Sequence, residues 1–77
     1  MQNRKNNKRD LKLDLHGIRY EKIEDLLEDY CFLNTPPYKI ITGNSNHMKK
    51  IVINFLNKHD YKYMVGNMHN QGYINVL

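Results

Sequence analysis

The spacing of hydrophobic residues along the chain changes repeatedly between the period of a strand and that of a helix. Leu11, Leu13 and Leu15 alternate with polar residues, which predicts a half-buried strand ended by Gly17. Other segments carry the helical spacing that places apolar side chains on one stripe. The predicted elements are strands at residues 11–16, 38–42, 61–65 and 73–77 and helices at residues 20–33 and about 46–58.

The order of these elements, β-α-β-α-β-β, predicts an α/β (α+β-like) two-layer sandwich. A strand that alternates polar and apolar residues has one covered face, whereas a sheet between two helix layers needs continuous apolar strands. We therefore expect a small mixed sheet with both helices on one face. The spacing does not determine the order of the strands. Residues 10–77 are predicted to form a single domain.

Charge is distributed unevenly along the chain, whose formal net charge is +4. Most of the acidic residues lie in the first predicted helix: Glu21, Glu24, Asp25, Glu28 and Asp29. Residues 1–9 lack apolar side chains after Met1 and are expected to form a disordered arm with the cations Arg4, Lys5, Lys8 and Arg9. This arm is either a contact for the phosphate backbone of nucleic acid or a solubilising tail.

Composition also restricts the class of protein. Cys31 is the single cysteine, which excludes an intrachain disulfide and a cysteine-based zinc site. No apolar run approaches the roughly 20 residues of a membrane span. The N-terminal segment lacks the hydrophobic region of a signal peptide. We expect a cytoplasmic protein with no membrane partner.

Polar residues that are distant in sequence are predicted to meet at one edge of the sheet. Right-handed β-α-β connections make the first two strands parallel, and by extension the third, so their carboxyl ends lie along one edge. In open α/β sheets this edge is the usual binding crevice. The residues expected there are Asp14, His16, Asn44, Ser45, His47 and His69.

Asp14 and His16 form the first candidate site. They share one face of a strand, about 6–7 Å apart at the backbone, so both can reach one phosphodiester. The imidazole can take or give a proton near neutral pH, and the carboxylate can orient it, act as a base or hold a divalent metal ion. On the strand pattern alone, the ordinary alternative of two polar residues at an exposed strand end is favoured.

The turn at Gly43 is the second candidate site. A glycine turn that leads into a helix offers free amides and the positive end of the helix dipole, which suit an anion. Lys49 and Lys50 in the first helical turn oppose the dipole unless an anion binds there. The alternative is an ordinary capped turn with solvent-exposed lysines. The candidate phosphate-binding residues here are Gly43, Asn44, Ser45, His47, Lys49 and Lys50.

The histidines raise the question of a metal site. His16, His47 and His69 could converge with Asp14, but their spacings match no zinc signature. We therefore expect no intrinsic zinc site. A divalent Mg²⁺ or Mn²⁺ ion stays open as a cofactor, with Asp14 as its ligand.

Three segments, taken in order, resemble the Smr (small MutS-related) domain family. Leu13–Gly17, LDLHG, matches the LDLHG signature of that family, and a helix of suitable length follows it. Ile40–Gly43, IITG, is similar to the second motif, a strand that runs into TGxG. Gly72–Leu77, GYINVL, is similar to the closing glycine and strand. The resemblance covers residues 10–77.

The resemblance implies a two-layer α/β fold similar to the C-terminal domain of bacterial translation initiation factor three. It also implies endonucleolytic nicking of DNA or cleavage of RNA. Asp14 and His16 fall on the LDLH positions implicated in cleavage, and Gly43 falls on the first glycine of TGxG.

The chain departs from the family pattern at several positions. Ser45 replaces the second glycine of TGxG. Lys22-Ile23 stands where the first helix usually has Glu-Ala, and the paired glycines before the last strand are reduced to Gly72. These departures bear on cleavage more than on the fold.

The sequence therefore predicts a stand-alone Smr-type endonuclease acting on RNA or DNA. The alternative is a non-catalytic module that binds nucleic acid or a ribosome surface, which the serine at position 45 favours. A third hypothesis is a protein-interaction domain that docks through its acidic first helix. The six tyrosines keep single-stranded nucleic acid open as a ligand, although Tyr61, Tyr63 and Tyr73 are more typical of sheet or core positions.

Overall fold

The structure, a computed structural model, describes residues 11–66 and 72–77. The predicted arm with Arg4, Lys5, Lys8 and Arg9, and the predicted loop residue His69, lie outside the described residues. The elements are β1 (Lys12–Asp14), α1 (Tyr20–Leu33), β2 (Tyr38–Ile41), α2 (Asn46–Lys58), β3 (Tyr63–Val65) and β4 (Tyr73–Val76). Neither helix in this part of the chain is long and apolar enough to cross a membrane.

The strands form one mixed sheet in the order β1-β2-β4-β3. β1 pairs in parallel with β2, and β4 runs antiparallel to both β2 and β3. β3 therefore points the same way as β1 and β2, so the carboxyl ends of these strands share one edge with the amino end of β4. Both helices pack on one face of the sheet and against each other, which confirms the predicted two-layer sandwich.

Alternation within the strands separates a buried face from an outer face. The buried side chains beneath the helices come from β2, β4 and the residue just after β1: Tyr38, Ile40, Ile74, Val76 and Leu15. The helices bury their predicted stripes, with Ile23, Leu27 and Cys31 from α1 and Met48, Val52, Phe55 and Leu56 from α2. Full burial of one such aliphatic side chain stabilises the fold by about 1.5–3 kcal/mol. A shift of one residue in the strand pairing would turn these apolar strand side chains to solvent, so the core fixes the register. In this register Lys12, Asp14 and Lys39 face solvent.

α2 has a defined cap at each end. The Ser45 side chain accepts the N–H of Met48 at 3.0 Å, as expected of a serine before a helix. At the other end Asp60 has a φ of 61°, and the N–H of Tyr61 donates at 2.9 Å into the last helical turn, as in a Schellman motif. Because Tyr61 still belongs to the helix end, β3 begins at Tyr63, later than the alternation predicts.

A tight turn leads the chain out of β1 toward α1. The N–H of Ile18 donates to the carbonyl of Leu15 at 3.0 Å, and Gly17 has a φ of 82°. These are features of a type II turn, which needs a positive φ at its third residue. A Cβ at Gly17 would meet no atom within 4 Å, so the glycine is needed for its backbone conformation and not for space. The turn leaves His16 at the exposed rim of the sheet.

Replacing Gly17 with alanine is expected to destabilise the domain by about 1–2 kcal/mol, because an alanine resists the left-handed conformation. Asparagine visits this region more readily, so Gly17→Asn should cost less than Gly17→Ala. Thermal unfolding of the three proteins measures both differences. Equal stability of Gly17→Ala and wild type would contradict the turn described here.

Candidate functional site

Hydrogen bonds at the carboxyl edge of the sheet join three separate segments of the chain. The N–H of Leu15 donates to the carbonyl of Ile41 at 2.8 Å, which continues the β1–β2 pairing beyond Asp14. The carbonyl of Gly72 accepts both the N–H of Thr42 at 2.8 Å and that of Gly43 at 2.9 Å. The ends of β1 and β2 and the start of β4 are therefore held together.

Asp14 and His16 form a hydrogen-bonded pair at this edge. The Asp14 carboxylate oxygen Oδ1 lies 3.2 Å from Nδ1 of His16 and accepts the backbone N–H of His16 at 3.1 Å. Asp14 thus fixes both the main chain and the ring of the residue two positions later. The side chains are 56% and 71% exposed, so a substrate can reach both of them.

The hydrogen bonds to Asp14 determine which nitrogen of His16 is available for chemistry. The backbone N–H of His16 and then its ring lower the pKa of the Asp14 carboxyl, with a smaller contribution from the charge of Lys12. An ionised carboxylate only accepts hydrogen bonds, so the Nδ1 atom that faces it carries the proton. In neutral His16 the Nε2 atom is then the basic nitrogen, and it accepts no hydrogen bond from the other described residues.

Gly43 provides the wall of the site nearest to His16. Its φ is 69°, and a Cβ placed on it would lie 3.5 Å from the Cβ of His16. The neighbouring Thr42 is buried, and its hydroxyl donates to the carbonyl of Gly43 at 3.0 Å. Hydrogen bonds thus hold the glycine turn next to the Cβ of His16.

The start of α2 continues from this turn. Ser45 accepts hydrogen bonds from two amides of the first helical turn. Its hydroxyl accepts the N–H of Met48, and its carbonyl accepts the N–H of Lys49 at 3.1 Å. The N–H groups of Asn46 and His47 have no acceptor within residues 11–66 and 72–77. The helix therefore offers exposed amide donors at its positive end, the arrangement that binds anions at helix N-termini.

Tyr20, which the sequence analysis does not identify as a site residue, braces the start of α2. Its hydroxyl lies 3.1 Å from the hydroxyl of Ser45, and its ring packs edge-on against His47 with a centroid distance of 4.4 Å. The first residue of α1 therefore fixes two predicted phosphate-binding residues. No local sequence pattern identifies this role, because Ser45 lies 25 residues after Tyr20 in the chain.

The predicted site residues differ in how the structure places them. Asp14, His16 and Gly43 are in mutual proximity, and Ser45 and His47 are joined through Tyr20. Asn44 is exposed in the same turn. Lys49 ends the first turn of α2, whereas Lys50 begins the second, because the helix starts at Asn46. Neither lysine forms an ion pair with another described residue.

No group of three or more His, Cys, Asp or Glu side chains in the described part of the chain could hold a metal ion. The predicted participation of His69 falls outside that part.

No protein-family model, curated protein or solved structure matches this chain.

Removing the Ser45 hydroxyl should destabilise α2. Ser45→Ala is expected to cost about 1 kcal/mol because the N–H of Met48 loses its cap, whereas Ser45→Gly should cost only a few tenths. Urea unfolding of both variants and of Tyr20→Phe, which keeps the cap, measures the difference. A cost as large for Tyr20→Phe as for Ser45→Ala would locate the stabilisation in the Tyr20 contact instead.

The titration of Asp14 tests the geometry of its pair with His16. Wild-type Asp14 should titrate below the ordinary pKa of 3.8, and His16→Ala should raise that midpoint only in part, because the backbone N–H still donates. Carbon-13 NMR of the carboxyl carbon measures both midpoints, with Tyr20→Phe as the unchanged control. Because the pKa of Asp14 is lower in the folded protein, these contacts stabilise the fold at neutral pH. Their contribution is lost as the pH falls through the folded-state pKa of Asp14. Identical midpoints in wild type and His16→Ala would exclude the side-chain contact.

Proposed function

We propose that this protein is a nucleic-acid endonuclease that cleaves phosphodiester bonds in RNA or DNA, the activity implied by its resemblance to the Smr family. The observation that carries the proposal is the 3.2 Å contact between Asp14 and Nδ1 of His16, beside the glycine turn that leads into α2. A carboxylate that orients an imidazole is a common arrangement for general-base catalysis. The single cysteine, Cys31, which is buried and unpaired, agrees with a cytoplasmic location.

In the proposed mechanism His16 acts as the general base. Its Nε2 atom takes the proton from the attacking hydroxyl group while Asp14 stabilises the imidazolium that forms. The oxygen attacks phosphorus, the bond from phosphorus to the leaving oxygen breaks, and water protonates that leaving oxygen. Proton transfer of this kind typically contributes about 10²–10⁴-fold to the rate.

The α2 start and the glycine turn bind the phosphate in this mechanism. The exposed amides of Asn46 and His47 and the helix dipole favour an anion, and Gly43 allows the backbone to approach it closely. Lys49 and Lys50 add positive charge within the first two turns of the helix. In RNA the attacking group is the 2′-hydroxyl, and in DNA it is water, for which a divalent Mg²⁺ or Mn²⁺ ion on Asp14 is the candidate cofactor.

A second candidate function is binding of nucleic acid or a ribosome surface without cleavage. The observation that favours it is the role of Ser45, whose hydroxyl contacts both Met48 and Tyr20. This side chain occupies the position at which the Smr family, which the chain resembles, has a glycine. A fixed side chain at this point narrows the approach to the turn. Under this hypothesis affinity persists when His16 is removed and no product forms.

A cleavage assay distinguishes the two functions. Purified wild-type protein should cut at least one of four end-labelled substrates, single-stranded or duplex RNA or DNA, assayed with Mg²⁺, with Mn²⁺ or with chelator. His16→Ala and Asp14→Asn should lower the rate by about 10²-fold or more, because each removes part of the general base. Asp25→Asn, an exposed α1 carboxylate replaced in the same way, is the matched control and should retain full activity.

The chemistry of the products identifies the nucleophile. Cleavage by the 2′-hydroxyl leaves a cyclic phosphate and stops when the cut site carries a single deoxynucleotide. Equal rates for wild type, His16→Ala and Asp14→Asn would overturn the catalytic roles proposed for Asp14 and His16. Binding without product on every substrate would establish the second candidate function.

A further inference from the structure

Two lysines occupy neighbouring strands on the outer face of the sheet, two residues before Asp14 in the register. Lys12 on β1 and Lys39 on β2 are partners in the parallel register, and both are exposed. Neighbouring strands are about 4.8 Å apart, and like charges directly opposite each other destabilise a sheet. Neither ammonium group forms an ion pair within residues 11–66 and 72–77. The fold therefore holds two adjacent cations that an anionic ligand would neutralise.

The side chain of Lys39 leans along the sheet toward its carboxyl edge and sideways toward β4, on the far side of β2 from Asp14. Its ammonium lies 4.8 Å from the centroid of the Tyr73 ring, a distance at which a cation is attracted to an aromatic face. Tyr73 is the register partner of Ile41, which in turn is the partner of Asp14. The charge of Lys12 also reaches Asp14, where it contributes to the lowered pKa. Both cations thus border the row of side chains that ends in the candidate catalytic pair.

A shallow depression of about 380 Å³ connects these groups with the glycine turn. Its lining combines cations, an aromatic ring, an aliphatic side chain and turn backbone, from Lys12, Lys39, Ile41, Tyr73, Gly43 and Asn44. This volume lies within the range of about 300–1,000 Å³ found for small-molecule sites, which suits one nucleoside unit. A larger depression of about 620 Å³, near Leu11 and Pro37 and also bordered by Lys39, lies at the opposite edge of the sheet. Asp14 and His16 line neither depression, but the smaller one reaches Gly43, which lies beside His16.

We infer that a single-stranded segment of nucleic acid reaches the Asp14–His16 pair across the outer face of the sheet. One nucleoside occupies the depression over Ile41, and its phosphate lies on Lys12 and Lys39, so that the next phosphate in the strand meets His16 and the Gly43 turn. A base can enter such a depression only when it is unstacked, which favours a single strand over a duplex. The placement of the scissile bond rests on the proposed function, whereas the binding track does not.

Binding measurements on the full chain test the track without relying on catalysis. Every protein in this comparison carries His16→Ala, so that no probe is cut. The probes are labelled single strands of RNA and DNA and the matching duplexes, and fluorescence anisotropy measures their binding. Adding Lys12→Gln and Lys39→Gln should weaken single-strand binding about tenfold and make the slope of log affinity against log salt shallower by about 1.4. The matched control adds Lys22→Gln and Lys58→Gln, which remove the same charge from the helix layer, and should change affinity less than threefold.

Each outcome of this comparison decides between specific alternatives. Equal weakening by the two double variants would overturn the track, because the effect would then follow net charge alone. Tighter binding of the duplex probes than of the single strands would overturn the single-strand assignment. Amide chemical shifts provide a second readout, and the track requires that Lys12, Lys39 and Ile41 shift when the single strand is added.

The two proposals can fail separately. Single-strand binding that depends on Lys12 and Lys39, from a wild-type protein that cuts no substrate, supports the track and overturns the endonuclease. Cleavage that depends on His16 but is unchanged by Lys12→Gln and Lys39→Gln supports the endonuclease and overturns the track.

Discussion

The double hydrogen bond to the carbonyl of Gly72 is the constraint on which the site depends. It pins the amides of Thr42 and Gly43 at 2.8 and 2.9 Å, so β2 ends beside the start of β4. The N–H of Leu15, bonded to Ile41, then positions the end of β1 against the same turn. Together with the parallel pairing of β1 and β2, these contacts keep the His16 Cβ close to Gly43. The candidate site at this edge is therefore assembled by pairing between strands that are distant in sequence.

The exposure of the Asp14–His16 pair follows from the size of the domain. A chain of 77 residues has one small core, here filled by apolar side chains, and it cannot also bury an ion pair without a large desolvation cost. An exposed pair contributes little to stability, since water and salt screen it. Its value lies in orientation, because Asp14 accepts the backbone N–H of His16 and also faces Nδ1 of the ring, and the ring contact favours the tautomer protonated at Nδ1. In the proposed mechanism the substrate itself must exclude water.

Periodicity predicted the elements well and their arrangement only in part. α1 has the predicted bounds, Tyr20–Leu33, because an apolar stripe and Pro36-Pro37 mark it locally. The strand order, by contrast, depends on pairings such as Ile41 with Tyr73, which no local pattern encodes. The role of Tyr20 was missed for the same reason. The edge that gathers the polar residues was predictable, because right-handed crossovers constrain strand direction without fixing strand order.

α1 and the outer face of the sheet differ in charge. The exposed acidic residues of α1 lie in the helix layer, whereas Lys12 and Lys39 project from the opposite face of the sheet. A polyanion approaching this molecule is repelled by α1 and attracted to the two lysines of the outer face, over distances of about one Debye length, roughly 8–10 Å. This asymmetry would orient the proposed nucleic-acid ligand before contact, with the Asp14–His16 pair at the end of the favoured face.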